Sequence, residues 1–184
     1  LAQNILLLDQ SCQLFTGYPG TGKTTELKQL EKKLDDAKDI PTHVVYVAFE
    51  KYIDLYTPIS IADVLRVLAY ELDRAATRAE GRDPDKESPY AERLKAFLEH
   101  ADVNWKNLEF GAKGYGLNLM LELRSSPSFR QQVEKALEGR FQRFADEAHA
   151  AMANAVIRLG KAQGAHAQRV VVLADGLEKM TPLR

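Results

Sequence analysis

Gly17, Gly20, Gly22, Lys23 and Thr24 stand in the stretch LFTGYPGTGKTTELKQL with the spacing Gly, four residues, Gly-Lys-Thr. That spacing fits the phosphate-binding loop pattern. Glycines there allow positive φ and let backbone N–H groups approach a polyphosphate without a Cβ in the way. Those N–H groups and the positive end of the following helix would form an anion cradle over Gly17, Tyr18, Pro19, Gly20, Thr21, Gly22, Lys23, Thr24 and Thr25. Lys23 would bridge the β- and γ-phosphates and the Thr24 hydroxyl would ligate Mg²⁺. The bland alternative is a glycine-rich strand–helix turn with a solvent-facing lysine.

A second set of groups lies in RVVVLADGLEK, residues 169–179. An apolar run leads into Asp175, which reads as a strand with a carboxylate at its C-terminal end, where open α/β sheets bind their ligands. Asp175 is the second candidate Mg²⁺ ligand. Glu178 is the candidate base that orients and deprotonates a water attacking the γ-phosphate. The competing readings are a turn residue for Asp175 and a surface ion-pair partner for Glu178.

The elements that must position these groups follow from the pattern. SCQLFT, 11–16, reads as a buried strand, with Cys12 in its core. Leu27, Leu30 and Leu34 recur at three- and four-residue spacing and mark an amphipathic helix from Thr24 to about Lys38. HVVYVAF, 43–49, predicts a strand covered on both faces. Residues 1–9 read as a short helix or lead-in. Ser60 with Asp63 forms a capping-box start for a helix whose stripe is Ile61, Val64, Leu65, Leu68 and Leu72.

Beyond that helix, EGRDPDKESP, 80–89, reads as a mobile surface loop, and 90–100 as a short helix. Leu117, Leu119, Leu121 and Leu123 alternate with other residues at period two, which predicts a strand and, with GAKGYG, a hairpin back to Leu108 and Phe110. Ser126-Pro127 starts a helix expected to run to Leu159, with Gly139 as a place to bend and Gly160 and Gly164 as its end. Its Phe141, Phe144 and Met152 need burial, which motivates a docking or oligomerisation arm as the alternative to a packed subdomain. His43 and His149 are isolated in sequence.

The chain has 184 residues, 45% hydrophobic and 28% charged, which suits one domain with a packed core. Its 25 basic and 26 acidic side chains nearly balance, so charge does not indicate nucleic-acid binding. No apolar run approaches the roughly 20 residues of a membrane helix. One cysteine, Cys12, rules out an intrachain disulfide and fits a reducing, cytoplasmic setting. The chain opens on Leu1, which suggests a piece of a longer protein.

GYPGTGKTT, HVVYVAF and VVVLADGLEK together resemble the STAND and AAA-like branch of P-loop ATPases. The likeness is specific at 14–30, 43–50 and 169–179 and only general across 60–165. It implies an α/β fold: a P-loop NTPase core with a parallel sheet flanked by helices. The core would be 11–60 and 166–184 of a single domain over 1–184, with a helical and β-hairpin insertion at about 80–164. It implies ATP and Mg²⁺ as ligands and hydrolysis to ADP. It also implies nucleotide-driven switching in signalling, defence or remodelling, through self-association or a partner protein. Two departures stand out. Gly176 occupies the place of the family's second acid, so the base falls to Glu178. Family members also continue with further core strands and a lid, so the chain is expected to stop before them and to leave the P-loop strand without its neighbour.

Three rivals remain in view. A nucleoside-monophosphate kinase shares the loop but needs arginines that clamp two phosphate groups. A GTPase would carry Asn-Lys-x-Asp, which is not in the sequence. A nucleotide-binding scaffold would hold ATP and hardly hydrolyse it. Arg124, Arg143 and Arg158 are candidate arginine fingers.

Overall fold

The computed structural model describes residues 5, 12–15, 18, 20–36, 42–54, 56–101, 103, 115–162 and 169–177. Its strands are β1 (Thr42–Ala48) and β2 (Arg169–Asp175), and its helices are α1 (Lys23–Asp35), α2 (Ile61–Ala79), α3 (Pro89–Glu99), α4 (Tyr115–Ser125), α5 (Pro127–Leu137) and α6 (Phe141–Ala162). The two strands form a parallel sheet with Ala48 opposite Asp175. The chain is therefore α/β, mostly helical, with a small parallel sheet.

β-branched residues and strand alternation explain the sheet. Val44 and Tyr46, with Val171 and Leu173, meet Leu27, Leu30 and Leu34 of α1 on one face. Val45 and Val47, with Val170 and Ala174, join the main core on the other. Both faces of β1 are thus covered, as its apolar sequence predicts. Asp175 has the same parity as Leu173, so it shares the face that α1 covers.

The strand expected over 11–16 is not formed across the described residues 12–15. Leu14 is 89% exposed, Phe15 is 43% exposed, and Cys12 is exposed where a core position was expected. A strand needs a hydrogen-bonded neighbour, and among the described residues none pairs with this segment. Of the lead-in only Ile5 is described, and it is helical.

α2 is the central helix. Ser60 caps it with a complete capping box: its Oγ accepts from the Asp63 N–H, and the Asp63 carboxylate accepts from the Ser60 N–H. The expected stripe is too narrow. Ile61 is 58% exposed, whereas Val67, Ala69, Tyr70, Ala76 and Thr77 are fully buried. α2 is enclosed by β1, α3 and α6, so alanine, tyrosine and threonine are buried as well as the branched aliphatics. The alanines of α6, Ala148, Ala151 and Ala155, are buried on the helix that packs most extensively against it.

Two insertion elements differ from expectation. Leu117–Leu123 belong to α4, not to a strand, and residues 104–114, which include the rest of the proposed hairpin, lie outside the described residues. Leu119, Met120 and Leu123 are buried, the three- and four-residue spacing of a helix. Leucine, methionine, glutamate and arginine favour helix, and the run holds no β-branched residue. Gly116 is a packing glycine: a Cβ there would lie 3.0 Å from Ala91 Cβ and 3.1 Å from Ser88 Cβ.

The single long helix is two. Ser126 caps α5 and Pro127 occupies its first turn, as predicted, but Gly139 at φ 70° ends the run before α6 begins. Gly160 lies inside α6 and does not end it. Phe144 is buried and Met152 packs against the core, while Phe141 stays 42% exposed. The burial problem that motivated a docking arm is thus met inside the chain for two of the three side chains.

The 80–88 segment is a loop of turns anchored by charge. Arg158 of α6 donates to Asp73 at 2.6 Å, to Glu80 at 2.8 Å and to the Thr77 hydroxyl at 2.8 Å. Arg74 reaches Asp85, and Arg82 pairs with both Glu80 and Glu87. Asp73 also accepts from the Ser88 hydroxyl and the Tyr90 N–H. Glu80 is held down to about pKa 2, first by the hydrogen bonds from Arg158. Charge pairing thus ties this surface loop to α2 at Asp85 and to α6 at Glu80.

Candidate functional site

Gly20 and Gly22 have φ of 81° and 82°, the left-handed region that glycine enters at least cost. An added Cβ at either would meet nothing within 4 Å, so backbone conformation, not crowding, selects glycine here. The loop turns on one carbonyl. The Tyr18 oxygen accepts from the Thr21 N–H at 3.3 Å, the Thr21 hydroxyl at 2.8 Å and the Lys23 ammonium at 3.0 Å. Gly17 and Pro19 lie outside the described residues.

α1 starts differently from its neighbours. Ser60, Ser88 and Ser126 each cap their helices through a side chain, but Gly22 precedes α1 with no side-chain cap. A helix whose first N–H groups are not closed by a serine presents them, with the helix dipole, to an outside anion. Lys23 is buried, folded back on the loop, while Thr24 and Thr25 are exposed.

Asp175, the second candidate Mg²⁺ ligand, ends β2. Its Oδ2 accepts a short hydrogen bond from the Tyr46 hydroxyl. Burial pushes the Tyr46 phenol well above its ordinary pKa, and the bond to Asp175 adds to the shift. Tyr46 therefore stays a protonated donor throughout the neutral range. The Glu31 and Glu50 carboxylates also act on this phenol, so α1 and the 3₁₀ turn Phe49–Lys51 bring acidic charge near the sheet's end. Gly176 follows at φ 93°. That conformation disfavours a side chain, which explains why glycine stands where a second acid was sought. Glu178 lies outside the described residues.

The packing of Leu30 and Leu34 on Leu173 brings the helix that carries Lys23 and Thr24 onto the sheet face that carries Asp175. Sequence reasoning missed Tyr46. The signal was present: a hydroxyl inside an otherwise apolar strand, expected to be covered on both faces, requires a partner.

The three candidate arginine fingers separate. Arg158 is committed to Asp73, Glu80 and Thr77. Arg143 lies over the Phe97 ring, 5.7 Å from its centroid. Arg124 is exposed and donates to the Lys51 carbonyl at 3.3 Å. Among the described residues, no helix is long and apolar enough to cross a membrane.

No family model, curated protein or solved structure matches this chain.

Proposed function

We propose that the chain is a P-loop NTPase core that binds ATP with Mg²⁺ and hydrolyses it to ADP, as a nucleotide-driven switch within a larger cytoplasmic signalling, defence or remodelling protein. One observation carries this reading: two left-handed glycines lead directly into a helix that has no side-chain cap and has a lysine in its first turn. A turn that merely joined two elements would have no need for that combination.

The residues present suit the ligand. Gly17 to Thr25 would hold the phosphates, with Lys23 exchanging the Tyr18 carbonyl for phosphate oxygens. The Thr24 hydroxyl and the Asp175 carboxylate are hard oxygen donors of the kind Mg²⁺ takes. The bound ion would supply charge neutralisation along the triphosphate. Glu178 would orient the attacking water.

Phosphate release from ATP in the presence of Mg²⁺ tests hydrolysis. Glu178→Gln should lower turnover by about 10²–10⁴-fold while ATP binding persists, the range a positioned base contributes. Unchanged turnover would remove Glu178 from the mechanism. A scaffold that binds without turnover is the second reading, and the left-handed Gly176 in the place of an acid favours it. Phosphoryl transfer to a nucleoside monophosphate is disfavoured. The Arg66, Arg74, Arg130 and Arg158 side chains are all committed to partners inside the chain, so these four do not make a phosphate clamp. A coupled assay with nucleoside monophosphates checks this, and phosphorylation of any of them would revive the kinase.

A further inference from the structure

We propose that Tyr46 is a positioning residue for Asp175, holding that carboxylate in the orientation in which it receives the magnesium of a bound nucleotide. The inference rests on the nucleotide reading above and adds to it a residue on a different strand.

The argument starts from strand geometry. β1 and β2 are parallel, with Tyr46 opposite Leu173 and Ala48 opposite Asp175. Alternation places Tyr46, Leu173 and Asp175 on one face, the face that α1 covers with Leu30 and Leu34. Packing against leucines calls for the ring but not the hydroxyl, and phenylalanine would serve it equally. The hydroxyl instead reaches along the sheet to Oδ2 of Asp175.

Asp175 is only half-buried, so water could solvate it without help. The bond from Tyr46 therefore adds direction more than satisfaction. It selects one side-chain orientation at the strand's end and leaves Oδ1, to which nothing among the described residues donates, as the oxygen open to a cation. A carboxylate ligand fixed by an outer hydrogen bond binds metal more tightly than one that must be ordered on binding, and loss of such a partner typically costs about 10–100-fold in metal affinity.

The test uses the whole 184-residue chain and a fluorescent ATP analogue, titrated in EDTA and then across a range of magnesium concentrations. Wild type, Tyr46→Phe, Asp175→Asn and the double variant are compared. Tyr46→Phe deletes one hydroxyl from a half-buried ring, and a thermal melt checks that the variant folds. It should bind the analogue as wild type does in EDTA, and need about tenfold more magnesium for the same enhancement. In the double variant, loss of the hydroxyl should add nothing to Asp175→Asn. A purely structural tyrosine would instead weaken both arms alike and add to the Asp175 effect. A magnesium curve for Tyr46→Phe that superimposes on wild type, or additive effects in the double variant, would overturn the inference while leaving the nucleotide reading standing. No magnesium-stimulated binding by wild type would overturn both.

Discussion

Along α2, the buried acids Asp63 and Asp73 each meet an arginine inside the chain. Arg158 closes on Asp73 and Glu80, and Asp73 is finished by Ser88 and the Tyr90 N–H. The carboxylate at the sheet's end is handled otherwise. Asp175 ends β2 and accepts from a neutral phenol, the Tyr46 hydroxyl. Opposite charges that satisfy each other hold elements in place. A carboxylate given a neutral donor keeps its charge and can take a cation at modest cost. The difference teaches where to look for chemistry in a chain whose ion pairs are mostly structural.

That contrast can be broken by mutation. The largest effect should come from Arg158→Met, which leaves Asp73, 3% exposed, as an uncompensated buried charge. Breaking a buried pair from one side costs about 3–5 kcal/mol, roughly 10 °C in melting temperature for a chain of this size. Calorimetric melting checks it, and a loss comparable to that of a surface arginine would show that the network is ornamental.

Acid should weaken the helical part in a defined window, by the modest amount one partly exposed carboxylate can carry. Glu80 is ordinarily protonated near 4.5 when unfolded and near about 2 when folded. A depressed carboxylate stabilises above its unfolded value, so its contribution is complete above about 4.5 and is lost as pH falls towards about 2. Glu80→Gln should flatten the stability curve across that interval, followed by denaturant midpoints.

Ser60→Ala should have the smallest effect, about 1 kcal/mol, because it removes one half of the capping box of α2. Urea denaturation measures it. Nucleotide binding should be unchanged, since the cap closes a helix away from the glycine loop.

Legibility followed range. Local chemistry was readable: the capping box at Ser60, the Ser126-Pro127 start and the two strands all appear where their residues point. The α1 stripe of Leu27, Leu30 and Leu34 is local too, and it covers the sheet as expected. Failures came where the partner decides the outcome. The 12–15 segment has strand-like residues but no neighbour among the described ones, so it is not a strand. Leu117–Leu123 alternates, yet Met120 makes both faces apolar and the helix wins through propensity and the close contact at Gly116. For the site, the glycine loop was legible because φ is a property of single residues. The Tyr46–Asp175 bond was not, because it depends on the register between strands far apart in the sequence.

The most direct measurement is titration calorimetry of ATP into the wild-type chain and into Lys23→Ala, each with Mg²⁺. The account predicts saturable binding by wild type and a loss of at least ~100-fold in Lys23→Ala, the worth of one or two charged hydrogen bonds at about 1.4 kcal/mol per tenfold. A thermal melt of the variant checks that it folds. Heat that does not saturate for wild type, or equal affinity in the two proteins, would contradict the account at its centre.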